Sequence, residues 1–491
     1  MVVACKREWT HTQGAAQGAK GRPRSHAANG EPNARDETLL PRRRGDRRDH
    51  DRRRRGGMRA GEPRGSPRRA RGGRHPFAAP STSTDVSDGG EFGTACNGLA
   101  TTITGIVKDP AGMFPLYNVL VYVPTEAVAP MPPPGPTCLQ CGTPVSGAPK
   151  IVARTDAKGN FRLVNAPVGK DVPIVIQAGK WRRQLKVPNV KPCVENFIGD
   201  FDATRMPKNQ SEGDMPEIAL ATGGFDPLEC LLRKIGIDDA EFTGPHGKGR
   251  VHLYQGKGGA RAKDEASPSR AFWESPQSFK GYDMVMLACE GDLPYAADAS
   301  AAGALAAKSI YDYLNEGGRV FATHYNYYWF ESGPLGPHGS VRDVATWTPS
   351  DAGTGVTGVY NVDSTFPKGK AFAEWLVGVG ASPVPGLIPL SDVREDVGAV
   401  NAAVGAQRWI YQGGSAKYLS FNTPLDQPPE SQCGRAVLSD IHISSTDETG
   451  GVFPDGCKGG TLSQQEQALE FLLFDLAKCV QDDKKAPEVP R

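Results

Sequence analysis

The chain has 491 residues, 57 Lys+Arg against 55 Asp+Glu, 38% hydrophobic residues and ten cysteines. That length suits two to four domains of roughly 100–200 residues each, and no apolar run approaches the roughly 20 residues of a membrane-spanning helix. The near-neutral total conceals a split, because 21 Lys+Arg and only 8 Asp+Glu fall in residues 1–80; a basic tail precedes an acidic body.

Residues 1–93, with RRRGDRRDHDRRRR at Arg42 to Arg55 and a Ser/Thr/Gly linker at Ser81 to Gly93, hold too little apolar surface to offset their ordering entropy and read as a disordered Arg-rich tail. Arg clusters bind phosphates, but no aromatic side chains are interleaved to stack bases, so nucleic acid is not the expected partner. The opening MVVACKREWT lacks the 7–15-residue apolar core of a signal peptide. The cysteines, placed near loops and domain edges, nonetheless point to an oxidising compartment and a secreted or cell-surface protein.

Residues 94–200 read as a β-sandwich. Thr101 to Gly112 and Pro115 to Pro124 alternate in polarity, Asp156-Ala157-Lys158-Gly159 is a hairpin turn before the strand Asn160 to Val164, and VPIVIQAGKWRRQLKVP supplies two more strands. Gly105-x-Val107-x-Asp109-x-x-Gly112, Pro115-Leu116-x-x-Val119 and Thr155-Asp156-x-x-Gly159-x-Phe161 resemble the carboxypeptidase regulatory-like, transthyretin-like sandwich, which implies an accessory module without catalytic residues. The insertion MPPPGPTCLQCG departs from that pattern and carries Cys138 and Cys141 as a CxxC. No second CxxC or HxxxH stands at zinc-site spacing, so a loop disulfide is preferred to a metal site or free thiols, and no metal or cofactor is expected. Cys96 and Cys193 flank the sandwich and are placed to staple its ends.

Residues 215–480 alternate strand and helix: PEIALATGG, then a helix with Leu228, Leu231 and Leu232 that Asp226 is placed to cap, YDMVMLA, an Ala-rich helix to Asn315, GGRVFATHY, GKAFAEWLVGVG, QRWIYQ, AKYLSFN, GRAVLSDIHIS and a last helix from Gln464 with a Ser463/Glu466 capping box. The expected fold is α/β, a doubly wound, mostly parallel sheet covered on both faces, with 481–491 a disordered C-terminus. Ligands bind such sheets at the carboxyl ends of strands. Those ends carry Cys289, Glu290 and Asp292, then His324 and Tyr325, and finally Asp440 and His442.

YDMVMLACEGD, the helix before GGRVFATH and the late GRAVLSDIH strand resemble the class I glutamine amidotransferase-like and ThuA-like fold. In that fold the resemblance places a nucleophile in a Gly-x-Cys-x-Gly elbow with a late His-x-Glu partner. Here Ala288 precedes Cys289 and no glycine opens the elbow, and Ile443 and Ser444 follow His442 where the glutamate would stand. CLLRKIGIDDAEF, HLYQGKGGA, NYYWFE and CGRAVLSDIHIS, within a likeness over about residues 95 to 480, resemble secreted proteins of myxobacterial type that join a carboxypeptidase regulatory-like module to such a domain.

Two readings stand. The first is a secreted or surface protein with a non-catalytic binding or structural role. In it Glu290, Asp292, Tyr325 and Trp329 line a surface for a carbohydrate or cell-surface component, and Cys289 is a small buried residue. The alternative is a Cys-dependent hydrolase or amidotransferase-like enzyme in which Cys289 is activated by His324 or His442, with Asp440 orienting the ring. Glu290 and Asp292 beside it would oppose a thiolate, so the triad is expected not to assemble. Cys433 with Cys457, and Cys230 with Cys479, complete the expected disulfides, leaving Cys289 and the tail's Cys5 over.

Overall fold

The alternating stretches after Thr101 pair as two small sheets. A computed structural model describes residues 96–490 apart from 98, 296–300, 350–354 and 444–445; the Arg-rich tail and linker lie outside the described residues. Strands β1 (Thr102–Ile106), β2 (Leu120–Val123), β3 (Ile151–Arg154), β4 (Asn160–Val164), β5 (Gly169–Ala178), β6 (Trp181–Val190) and β7 (Glu195–Phe197) form one sheet in the order β4-β1-β7 and one in the order β3-β2-β5-β6. The alternation of β4 is carried into the packing, with Phe161 and Leu163 buried and Asn160, Arg162 and Val164 exposed.

The second part is a large mixed sheet. Its strands are β8 (Ile218–Thr222), β9 (Phe242–Thr243), β10 (Val251–Gln255), β11 (Ser267–Pro268), β12 (Met284–Leu287) and β13 (Arg319–Thr323), and then β15 (Val356–Val362), β16 (Leu387–Val393), β18 (Gln407–Gln412), β19 (Ser415–Thr423) and β20 (Gly434–Ser439); β14 (Ala345–Trp347) and β17 (Val397–Val400) pair apart from it. The order is β11-β10-β8-β12-β13-β20-β19-β18-β15-β16, with β9 beside β10. The run from β11 to β20 is parallel, whereas β20-β19-β18-β15-β16 is antiparallel. The expected mostly parallel sheet is therefore corrected to a mixed one. Gly413-Gly414 joins β18 to β19 as a tight hairpin, a connection that only an antiparallel pair accepts.

Helices cover both faces. On one, α1 (Leu228–Lys234), α3 (Pro367–Gly378) and α4 (Gln464–Ala477) bury Leu231, Phe372 and Leu472 against Leu220, Met286 and Val437. On the other, α2 (Ala301–Asn315) buries Ala306, Ile310 and Leu314 against Ala219, Val285 and Val320. Ser463 and Glu466 close α4 with both halves of a capping box. No described helix is long and apolar enough to cross a membrane.

The sandwich shares its core with the larger sheet inside one compact unit. Tyr117 stacks on Phe471, Trp181 packs on Phe474, and Trp375 Nε1 donates to Pro115 O at 2.6 Å. Gly179, at φ +62°, brings the β5–β6 turn so near Ala477 O that any Cβ would clash. Disulfides cross the same junction. Cys96 pairs with Cys193 inside the sandwich, but Cys138 pairs with Cys433 and Cys141 with Cys479, while Cys230 pairs with Cys457. The expected Cys138–Cys141, Cys433–Cys457 and Cys230–Cys479 pairs are thus corrected. The Pro-rich insertion lies over the amino ends of the parallel strands, which puts each CxxC sulfur nearer a partner 295 or 338 residues away than its neighbour's. Such bonds belong to a chain that folds under oxidising conditions. Residues 481–490, expected to be disordered, pack back instead: Asp483 is buried against Lys368 and Arg435.

Candidate functional site

Strand order reverses between β8 and β12, since β10 lies on one side of β8 and β12, β13 and β20 follow on the other. The crevice outside the carboxyl ends at such a point is where α/β sheets place ligands. Gly223 ends β8 there, and a Cβ on it would meet Cys289 O at 2.1 Å, so glycine lets the two strand ends close together. The N–H of Cys289 donates to Thr323 Oγ1 at 2.9 Å, and Asn326 Nδ2 donates to Leu287 O at 3.1 Å, fastening the end of β12 to the end of β13. His324 follows with φ +39°, a left-handed conformation uncommon outside glycine and concentrated at functional sites.

That turn aims His324 at the thiol. Its Nδ1 lies 3.3 Å from Cys289 Sγ and its Nε2 lies 3.2 Å from Asp396 Oδ2. The expected absence of a thiol–imidazole–carboxylate line is thereby corrected, with Asp396, not Asp440, behind the ring. Asp440 instead accepts the N–H groups of Asp396 and Val397 on Oδ2, at 2.9 and 3.3 Å, and so holds the loop that presents Asp396. Burial, then the nearby Asp396 carboxylate, raise its pKa to about 8.

His442 joins from the end of β20. Its ring centroid is 4.5 Å from that of His324, and its Nδ1 is 3.0 Å from Asp226 Oδ1, which also accepts the N–H of Ile443 at 2.8 Å. Asp226, expected to cap α1, makes no side-chain cap there and is spent on His442. The other ring nitrogen, Nε2, is buried without a hydrogen-bond partner, which costs about 1–3 kcal/mol in an unrelieved site. Among the described residues, Cys289, His324 and His442 form the group of three ligand-type side chains whose donor atoms all lie within 4.8 Å of one another; they are the residues able to hold a metal ion. No spacing in the sequence announces them as a set.

The environment is closed. Cys289 is 0% exposed, His324 4% and His442 3%. Phe225 lies across Gly291, and its ring centroid is 6.0 Å from that of His442. Burial, then the Asp226 charge, push the Cys289 thiol well above its ordinary value, against the N–H of Gly291 at 3.4 Å from the sulfur. Burial lowers His324 despite Asp396. For His442 burial acts downward, but the Asp226 carboxylate outweighs it and the imidazole is raised; Asp226 is held low by the same pairing, against its own burial.

The remaining expected site residues lie apart from this cluster. Glu290 accepts the N–H of Lys257 at 2.8 Å and the hydroxyl of Ser269 at 3.2 Å, and Asp292 pairs with Lys257 on the exposed rim. Trp329, expected in a binding surface, is core instead: fully buried, 5.2 Å from Trp273 between ring centroids, its Nε1 donating to Asn326 Oδ1 at 2.9 Å. Tyr325 alone of the aromatic candidates adjoins the site, half-buried with its ring 3.9 Å from that of His324.

No protein family and no curated protein matches the chain. Among solved structures, a cytoplasmic protein of Salmonella typhimurium aligns at 13% identity over 54% of this chain and 99% of its own, with a TM-score of 0.26. A type II cohesin–X-dockerin complex of Acetivibrio cellulolyticus aligns at 13% identity over 28% of this chain and 85% of the other, with a TM-score of 0.15. Likenesses at these scores carry no argument about fold or role.

Proposed function

We propose that the chain is a secreted or cell-surface protein in which a carboxypeptidase regulatory-like sandwich is welded to a doubly wound, glutamine amidotransferase-like or ThuA-like α/β domain, with a binding or structural role in place of catalysis. The observation that carries this reading is the complete burial of Cys289. A nucleophile must meet its substrate as a thiolate, and this sulfur is sealed from solvent and held protonated by its surroundings. The four disulfides support export. Iodoacetamide labelling of the native protein tests the reading: Cys289 stays unmodified at neutral pH and is labelled once the chain is unfolded. Rapid native labelling that disappears in His324→Ala sinks it.

The 3.3 Å contact between Cys289 Sγ and His324 Nδ1, with Asp396 behind the ring, favours a second reading, a Cys-dependent hydrolase or amidotransferase-like enzyme. Turnover of glutamine or of an activated ester by the wild type, abolished in Cys289→Ser, would establish that reading over the first.

A further inference from the structure

Cys289, His324 and His442 come from the ends of three strands, β12, β13 and β20, that adjoin in the sheet. Their distinctive feature is the assignment of ring nitrogens. His324 turns Nε2 to Asp396 at 3.2 Å, which leaves the Nδ1 lone pair facing Cys289 Sγ. His442 turns Nδ1 to Asp226 at 3.0 Å, which leaves the Nε2 lone pair with no partner. For His442 a hydrogen bond to the carboxylate behind the ring fixes the tautomer, and for His324 the Asp396 carboxylate stands behind the ring at ion-pair distance; each ring presents its other nitrogen forward, which is the outer-shell arrangement of metal-bound histidines.

A hydrogen-bonded core alone does not account for this. A thiol and one histidine satisfy each other; a second histidine brought to the same spot, oriented by its own buried carboxylate and left with an unused nitrogen, has no role in that pair. We infer that Cys289 Sγ, His324 Nδ1 and His442 Nε2 form a buried site for a borderline-soft transition-metal ion of the Zn2+ class. A thiolate with two imidazoles suits such ions, and oxygen-seeking ions such as Mg2+ or Ca2+ are excluded by the absence of oxygen donors in the set. The donor atoms lie within 4.8 Å of one another, and a tetrahedral zinc site needs separations of roughly 3.3–3.7 Å, so loading draws the rings inward by small side-chain rotations. The thiol proton leaves to solvent as the ion enters, and a fourth position remains for water. Enclosure of all three side chains means that the ion enters as the chain folds and exchanges slowly afterwards.

The test uses the full chain in a Cys5→Ser background, made in an oxidising compartment so that the eight remaining paired cysteines close and Cys289 is the available thiol. Elemental analysis of protein from zinc-sufficient medium is expected to find one zinc per chain. Protein from cobalt-supplemented, zinc-depleted medium is expected to show the visible bands of tetrahedral Co2+ with a sulfur-to-metal charge-transfer band in the near ultraviolet. Cys289→Ser abolishes the charge-transfer band, His442→Ala lowers the metal content at least tenfold, and His246→Ala, at an exposed histidine outside the cluster, leaves both unchanged. The wild-type spectrum decides the matter even where a variant fails to fold. No bound metal in either preparation, cobalt without the sulfur band, or metal retained undiminished in Cys289→Ser overturns the proposal.

Discussion

The two ends of the parallel half of the sheet are built on opposite principles. At the amino end, under the Pro-rich insertion, cohesion dominates. Arg319 donates to Gly317 O and Cys433 O, Arg435 reaches Asp475 and Asp483 at 2.8 and 2.9 Å, Lys368 binds the same two carboxylates, and two disulfides tie the sandwich across. At the carboxyl end, strand tips present a thiol and two imidazoles, one residue is held in a left-handed conformation, and a buried nitrogen has no partner. One end uses its polar groups to hold two layers together; the other keeps donors converging on one point. The difference teaches that burial alone does not distinguish structural from functional polar groups, since both clusters are sealed. What differs is the chemistry that converges: charge-paired cations and carboxylates at one end, a thiol and two imidazoles at the other.

The largest effect should come from the cohesive end. Arg435→Met leaves Asp475 and Asp483 with Lys368 as the ion-pair partner, Asp483 keeping the Ser420 hydroxyl, and removing one partner of such a cluster costs about 3–5 kcal/mol; an unfolding free energy from urea titration lowered by less than a quarter of that would break the contrast. Opening the Cys138–Cys433 bridge in the Cys138→Ser, Cys433→Ser double variant should cost about 2–4 kcal/mol through the freed chain. Non-reducing peptide mapping of the wild type should recover Cys138 joined to Cys433, and a peptide joining Cys138 to Cys141 would remove the weld between layers.

At the carboxyl end Asp226→Asn should cost about 1–3 kcal/mol, because His442 keeps an amide acceptor but loses the carboxylate charge paired with it in a buried site. The pH dependence has a definite sign. In the metal-free chain His442 is raised by folding, so its contribution is whole below the unfolded imidazole value of about 6.5 and is lost as pH rises through the higher folded value; Asp226 is lowered, so its contribution is whole above about 3.9 and is lost as pH falls. The difference between wild type and Asp226→Asn should therefore be greatest between about pH 4 and 6.5 and shrink on both sides, as read from unfolding curves across that range. The smallest effect is expected at the rim: Asp292→Ala removes an exposed pair with Lys257 and should shift stability by less than about 0.5 kcal/mol. A larger loss would extend the site outward to the Glu290–Asp292 corner.

Much of the secondary structure was legible because it is local. Strand alternation in Asn160–Val164, the Gly turns and the Ser463/Glu466 capping box each depend on residues within a few positions of one another. The direction of β18 and β19 is also written locally, in the two-residue Gly413-Gly414 link that only an antiparallel pair accepts. Asp226 illustrates the opposite case. A carboxylate just ahead of a helix reads as a cap from its neighbours alone, and nothing nearby reveals that His442, 216 residues later, competes for it. Asp396 sits in a loop with no pattern around it, and only the packing of that loop against Asp440 brings it behind His324.

By itself the sequence determined many of the strands and helices, though not β15 or β16, that Cys289, His324 and His442 fall at strand ends, and that the cysteine content suits an oxidising compartment. Each of these follows from side-chain period, turn chemistry or composition, which act over short range. The tertiary structure decided the cysteine partners, the mixed character of the sheet and the carboxylates behind the two rings. These depend on which distant segments are brought within a few ångströms, and that is settled by the packing of whole layers: the insertion over the amino ends carries Cys138 and Cys141 to Cys433 and Cys479, and the order of β8, β12, β13 and β20 carries two imidazoles to one sulfur.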